Sequence, residues 1–177
     1  MRTHTVPEEE FRLCFEQHVD AVRRTAYLLC GDRHRAEDLT QSAFLKLYLR
    51  WNDLDEREQL TRYLRRIVTR AYLAERRRLW WRREQSTGTD AEVPSEGPGG
   101  EDRIVVWDAL GALPPRQRAV LVLRYWTDLG VQETAEVLGC SPGTVKSQTS
   151  KGLATLKRRL NGQFSERAAP SRNQEVV

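Results

Sequence analysis

Apolar residues recur along the first half of the chain at steps of three and four. Phe11, Phe15, Val19, Val22, Ala26 and Leu29 keep that rhythm until Gly31-Asp32 breaks it, which predicts an amphipathic helix ending there. Ala36, Leu39, Ala43, Leu47 and Trp51 restart the period, so a second helix is expected over 35–51. The polar, turn-like stretch 52–59 leads into a third helix from Leu60 to Trp81. Three helices over about seventy residues make one small bundle.

The pattern then lapses. Residues 85–100 are rich in Gly, Pro, Ser and acids with almost nothing to bury, the composition of a flexible linker. Helical periodicity returns in four pieces between Arg103 and Leu160. The first is Ile104 to Ala112. Pro114-Pro115 opens the second, since proline's fixed φ suits a first helical turn, and it runs through Val120, Leu121, Leu123 and Tyr125. The third is Val131 to Leu138, with Val131, Ala135 and Leu138 inward. In the fourth, Val145, Leu153, Leu156 and Leu160 form the expected core face. No stretch alternates in the manner of a strand. The expected fold is therefore all-α: two small helical domains over 8–84 and 103–162, a flexible acidic linker over 85–102, and a disordered tail over 163–177.

The third and fourth pieces are joined in a way that carries chemistry. Gly139 can close a helix in the left-handed conformation, and Ser141-Pro142 supplies an N-cap and a first-turn proline for the next. Helix, short glycine-containing turn, helix is the helix-turn-helix arrangement, whose second helix enters the major groove of DNA. Its exposed side offers Thr144, Lys146, Ser147, Gln148, Ser150 and Lys151, groups that read bases and hold phosphates, and no acid falls between Ser141 and Leu160.

Charge and composition sharpen this. The 177-residue chain carries a net charge of +4 with 31% charged residues, but the sign is unevenly spread. Arg62, Arg65, Arg66, Arg70, Arg76, Arg77, Arg78, Arg82 and Arg83 crowd the third helix and the two residues after it against the single acid Glu75, and the linker that follows is acidic. That density marks a polyanion-binding face. Tyr63, Tyr72, Trp80 and Trp81 on the same helix offer surfaces for stacking unpaired bases; Tyr63 reads better as core, while Trp80 and Trp81 fit either role. No apolar run approaches a membrane span, and Met1-Arg2-Thr3-His4 does not begin a secretory signal, so a cytoplasmic protein is expected. Cys14, Cys30 and Cys140 are far apart and form no metal-ligand spacing. No catalytic cluster, metal site, cofactor motif or small-molecule site is indicated, so the chain is not expected to be an enzyme.

Four segments resemble a known family. Leu113-Pro114-Pro115-Arg116-Gln117-Arg118, Leu123-Arg124-Tyr125 and the run Glu133 to Ser147 closely resemble region 4 of bacterial RNA polymerase sigma factors of the sigma-70 family, above all the small extracytoplasmic-function (ECF) class. Ala36-Glu37-Asp38-Leu39-Thr40-Gln41 with Phe44 resembles region 2 of that class. The resemblance implies a factor that binds core RNA polymerase and directs promoter-specific initiation, with region 4 reading the minus-35 element and region 2 opening the minus-10 element. Its implied partners are core polymerase, promoter DNA and an anti-sigma factor.

The resemblance also assigns roles by position. Asp38, Gln41 and Ser42 fall on the polymerase-binding surface, although the family usually has Glu where this chain has Ser42. Arg62, Arg65, Arg66, Arg70, Arg77, Arg78, Trp80 and Trp81 fall in the minus-10 segment, and residues 55–60 in the base-capture loop. Arg70 stands where the family commonly has Asn, which implies an atypical minus-10 preference because Arg and Asn hydrogen-bond bases differently. The competing reading is a stand-alone helix-turn-helix regulator, which would bind paired half-sites as a dimer.

Overall fold

The computed structural model describes residues 8–54, 60–85 and 107–168. Helix α1 (Glu8–Cys30) starts on three acids, Glu8, Glu9 and Glu10, whose charge suits a helix N-terminus. It ends where Gly31 takes φ +76° and donates to the Tyr27 carbonyl at 2.7 Å. Asp32 then caps α2 (Arg33–Leu49), its carboxylate accepting from the Arg35 amide at 2.7 Å. The apolar period predicts that this helix reaches Trp51. It stops at Leu49 because Arg50 leaves helical backbone, and a 3-10 turn at Trp51–Asp53 swings the Trp51 ring into the core against Phe11. Helix α3 (Leu60–Gln85) outruns its predicted end by four residues.

These helices meet on the expected faces. Val22, Ala26 and Leu29 of α1, Ala36, Ala43 and Leu47 of α2, and Leu60, Leu64, Val68 and Tyr72 of α3 are buried together. Leu29, Leu47 and Leu64 are fully enclosed, each contributing about 1.5–3 kcal/mol of burial. Phe15 departs from its predicted inward place. It lies half in solvent, one edge against the buried Phe44 ring at 4.7 Å.

In the second half, residues 107–111 are helical, followed by α4 (Pro115–Leu121), α5 (Val131–Leu138) and α6 (Pro142–Ala168). The predicted helix through Tyr125 widens after Leu121 into a π-turn, Val122–Trp126, in which the Thr127 amide reaches back five residues to the Val122 carbonyl at 3.1 Å. Leu123 stays buried while Tyr125 and Trp126 turn outward. On α5, Thr134 and Val137 are buried with Ala135, whereas Val131 and Leu138 are only partly covered.

Helix α6 also corrects its predicted face. Leu153 is 41% exposed, and the inward stripe is Val145, Thr149, Gly152 and Leu156, with Gly152 buried. A Cβ at Gly152 would lie 3.2 Å from Leu121 Cγ and Cδ1, so the missing side chain is what lets α6 approach α4. The helix carries on through 163–168, beyond the last apolar step. Residues 169–177 of the expected tail, and 86–102 of the expected linker, lie outside the described residues.

The two halves pack against each other. Ala119 and Val122 join the buried core of the first bundle, with Trp107, Leu110 and Leu138 partly buried on it. Tyr27 and Trp107 meet edge to face at 4.8 Å.

Candidate nucleic-acid interface

The geometry of α3 follows from its own sequence. With Leu60, Leu64, Val68 and Tyr72 one helical turn apart and buried, the arginines between them are forced to the flanks and outer side. Arg66 and Arg70 are exposed there, and Arg77 and Arg78 continue the basic face. Arg65 is half-buried; its Nε is enclosed without a hydrogen-bond partner, and burial pulls its guanidinium below the ordinary value. Tyr72, by its sequence position a possible stacking surface, is core instead.

Trp80 and Trp81 are not core. They are 56% and 54% exposed and touch each other edge to face, ring centroids 5.1 Å apart. Two such rings among arginines are suited to stacking on unpaired bases.

Lys46, Leu49, Arg50, Tyr63, Arg66, Ile67 and Arg70 line a groove of about 420 Å³ between the end of α2 and α3. Four of the seven are cationic, and Tyr63 is half-buried on one wall rather than wholly in the core. The hydropathy pattern does not single out Lys46 and Arg50, although each sits one turn from an apolar residue of α2 that it does. The expected base-capture residues 55–59 lie outside the described residues.

Two of the expected contact residues already have partners. Arg62 pairs with Glu133 of α5 and lies 3.9 Å from Glu136. Arg70 donates from Nε to the Val137 carbonyl at 3.1 Å and from Nη2 to the Glu136 carbonyl at 3.4 Å.

The second face is built on α5 and α6. Glu133 accepts from the Gly130 amide at 2.7 Å, which closes the start of α5; that bond first, and Arg62 after it, hold its carboxyl below the usual range. Gly139, at φ +65°, ends α5, and the Cys140 amide returns to the Ala135 carbonyl at 3.0 Å. Ser141 Oγ then accepts from the Thr144 amide at 3.1 Å and caps α6. Val145 is fully buried against Val120 and Ala135, which anchors the first turn of α6. With that side fixed, Lys146, Ser147, Ser150 and Lys151 are left exposed and Thr144 and Gln148 half-buried. Four of the six predicted residues thus lie open on the outer side of α6, with Thr144 and Gln148 at its edges.

On α2, Asp38 and Gln41 are exposed and Ser42 half-buried, three and four residues apart and so on one face. Leu45, Tyr48 and Leu49 continue the exposed side as an apolar band. Arg118, which in the sequence is only one residue of a longer motif, ties the two halves together. It is buried and donates to the Leu29 carbonyl at 2.8 Å. Among the described residues no group of metal-ligating side chains gathers, and no helix is long and apolar enough to cross a membrane.

Comparison with known proteins follows the same two faces. The family model for sigma-70 region 2 matches residues 14–82, and that for sigma-70, region 4, matches residues 103–156. The chain is 36% identical over 156 residues to the RNA polymerase sigma-E factor of Streptomyces coelicolor, covering 82% of this chain and 85% of that protein. It is 35% identical over 160 residues to the ECF RNA polymerase sigma factor SigE of Mycolicibacterium smegmatis, covering 86% of this chain and 62% of that protein. Its fold is similar to the sigma factor RpoE solved in complex with the anti-sigma factor NepR from Bartonella quintana, with a TM-score of 0.74, 24% identity, and coverage of 86% and 98% of the two chains.

Proposed function

The chain belongs to the sigma-70 family of RNA polymerase sigma factors, in its ECF class, and from that premise we propose how its own residues divide the work of initiation. As a sigma factor it binds core RNA polymerase and directs promoter-specific initiation, region 4 reading the minus-35 element and region 2 opening the minus-10 element. In this reading, residues 8–84 serve as region 2, 85–102 as the tether, 103–162 as region 4, and 163–177 as a tail. Asp38, Gln41 and Ser42 face the polymerase. Thr144, Lys146, Ser147, Gln148, Ser150 and Lys151 meet the minus-35 duplex, a reading supported by the exposure of Lys146, Ser147, Ser150 and Lys151 on α6.

Arg62, Arg65, Arg66, Arg70, Arg77 and Arg78 hold the opened minus-10 strand by its phosphates and base edges, and Trp80 and Trp81 stack on its bases. The factor breaks and forms no bond itself: it places the polymerase, which does the chemistry. It works in the cytoplasm with that enzyme. An anti-sigma factor is a further partner, for which the apolar band Leu45, Tyr48 and Leu49 provides a surface.

The observation that carries this division is the presence, on one chain, of an acid-free exposed face behind a glycine-closed helix and of a separate cationic groove on α3, whose far end carries two exposed tryptophans. Run-off transcription with purified bacterial core polymerase on a library of random promoters tests it. Specific starts with enriched minus-35 and minus-10 bases are expected, the minus-10 set differing from the usual family sequence because Arg70 replaces Asn. Binding to paired half-sites as a dimer, with no response from core polymerase, would move the chain to the regulator reading.

A further inference from the structure

Helix α6 runs well beyond the residues given to the minus-35 duplex, and its outer side stays cationic where they stop. The inward stripe of Val145, Thr149, Gly152 and Leu156 fixes which side faces solvent. On the opposite side, at about 100° per residue, Lys157 returns to within about 20° of Lys146, and Arg158 to within about 20° of Ser147. Lys157 and Arg158 are exposed, as is Ala154 on the line that joins them to the earlier residues. Arg159, also exposed, falls off this line and lies beside the inward stripe.

Neither capping nor ion pairing accounts for these two cations. A helix dipole favours positive charge only in the last turn, and α6 ends at Ala168, about three turns past Arg158. No acid occurs from Ser141 to Ser165, so neither side chain has a carboxylate one turn away on its own helix. Arg158 Nη2 donates to Thr155 Oγ1 at 3.4 Å, a long contact that leaves its charge unneutralised. Along the axis Lys157 lies about 16 Å from Lys146, whereas the major groove is about 12 Å wide. A helix with its first turns in the groove therefore brings Lys157 and Arg158 to the groove's edge, where the phosphates stand. Resting on the proposed assignment of α6 to the minus-35 duplex, we infer that Lys157 and Arg158 form a second, phosphate-holding segment of that face. The short side chain of Ala154 lets the helix lie close to the duplex between the two segments. Lys157 and Arg158 set the helix's tilt and add affinity, and carry no sequence information.

The test uses holoenzyme assembled from the full chain and bacterial core polymerase, with Lys157→Gln and Arg158→Gln together. Both side chains are exposed, so the change removes charge without disturbing the core. Affinity is measured by competition for a selected promoter and for its single-base minus-35 variants, between about 50 and 200 mM KCl. A control variant, Arg24→Gln with Arg33→Gln, makes the same change in net charge on exposed positions of the first bundle.

The expected result is roughly five- to fiftyfold weaker binding at the lowest salt, with the slope of log affinity against log salt shallower by about 1–2. All the promoter variants weaken together, so the ratios among them stay within about twofold of the parent. An unchanged salt slope, or an equal loss in the control, overturns the phosphate-holding segment while leaving the minus-35 assignment in place. A loss confined to particular base variants also overturns it, because the pair would then read sequence. A parent holoenzyme that does not discriminate among the minus-35 variants overturns the functional reading, and this segment with it.

Discussion

Replacing Arg118 by alanine and by methionine separates what its charge contributes from what its stem contributes. The residue is 8% exposed, and Nη1 donates to the Leu29 carbonyl at 2.8 Å, while Nε is enclosed without a partner and burial lowers the guanidinium pKa. A hydrogen bond from a charged donor contributes about 1.5–3 kcal/mol. The cost of keeping the cation out of water works against that gain. Methionine retains most of the apolar stem and removes the buried charge, so its net cost should be about 1 kcal/mol. Alanine also deletes the stem and leaves a space beside α1, where large-to-small changes cost about 2–5 kcal/mol; its net cost should be about 3 kcal/mol.

Because the two halves share a core, both changes should move a single transition. For a chain of this length the midpoint falls about 2–4 °C per kcal/mol, hence about 6–12 °C for Arg118→Ala and a few degrees for Arg118→Met. Thermal and urea unfolding followed by circular dichroism measure both. If the two variants agree within about 0.5 kcal/mol, or if either matches the parent, the division between stem and charge is wrong.

Three further outcomes are expected. Lys146→Ala should relax discrimination at one minus-35 base by about 1–3 kcal/mol if the ammonium meets a base edge, measured by competition among single-base promoter variants; uniform weakening of all of them would make it a phosphate contact. Gly152→Val should cost about 1–3 kcal/mol in urea unfolding, because its side chain must enter the 3.2 Å approach to Leu121, and parental stability would show that α6 can simply move away. His18 has a lowered pKa from burial, with Arg65 adding to it, and its Nδ1 shares a 3.0 Å hydrogen bond with the Thr61 hydroxyl. The folded state therefore binds fewer protons there than the unfolded state, whose imidazole titrates near pH ~6.5. Stability is full above that pH and falls as pH drops through it. His18→Gln should flatten the melting temperature between about pH 7 and pH 5, and parallel slopes for the two proteins would refute this.

The helices were legible because their buried stripes repeat every three or four residues, as Leu60, Leu64, Val68 and Tyr72 do. The helix-turn-helix was legible from Gly139 and Ser141-Pro142, whose local roles need no tertiary context. Gly152 escapes notice because an inward position without a side chain leaves no mark in a hydropathy pattern. Arg118 escapes for the opposite reason: a cation reads as surface unless the carbonyl it will meet, 89 residues earlier in the chain, is known. The π-turn depends on a hydrogen bond to Val122 that the apolar steps do not encode. Trp80 and Trp81 can be placed only once the helix is seen to extend past the bundle. The engagement of Arg62 and Arg70 is hidden for the same reason as that of Arg118, since the chemistry of a side chain does not name its partner.

The missing side chain at 152 has a consequence for how such a factor changes its targets. In the proposed reading the outer residues of α6 act as the teeth of a key, and the contact at Gly152 with Leu121 sets how far the blade stands from its bow. A change at Lys146 or Ser150 recuts one tooth and leaves the rest where they were. A bulkier residue at 152 shifts every tooth by the same displacement, so all base contacts lose register together and no compensating change at one tooth restores them. On that reading target preference diversifies stepwise from the front of the helix, while position 152 at its back resists any larger side chain.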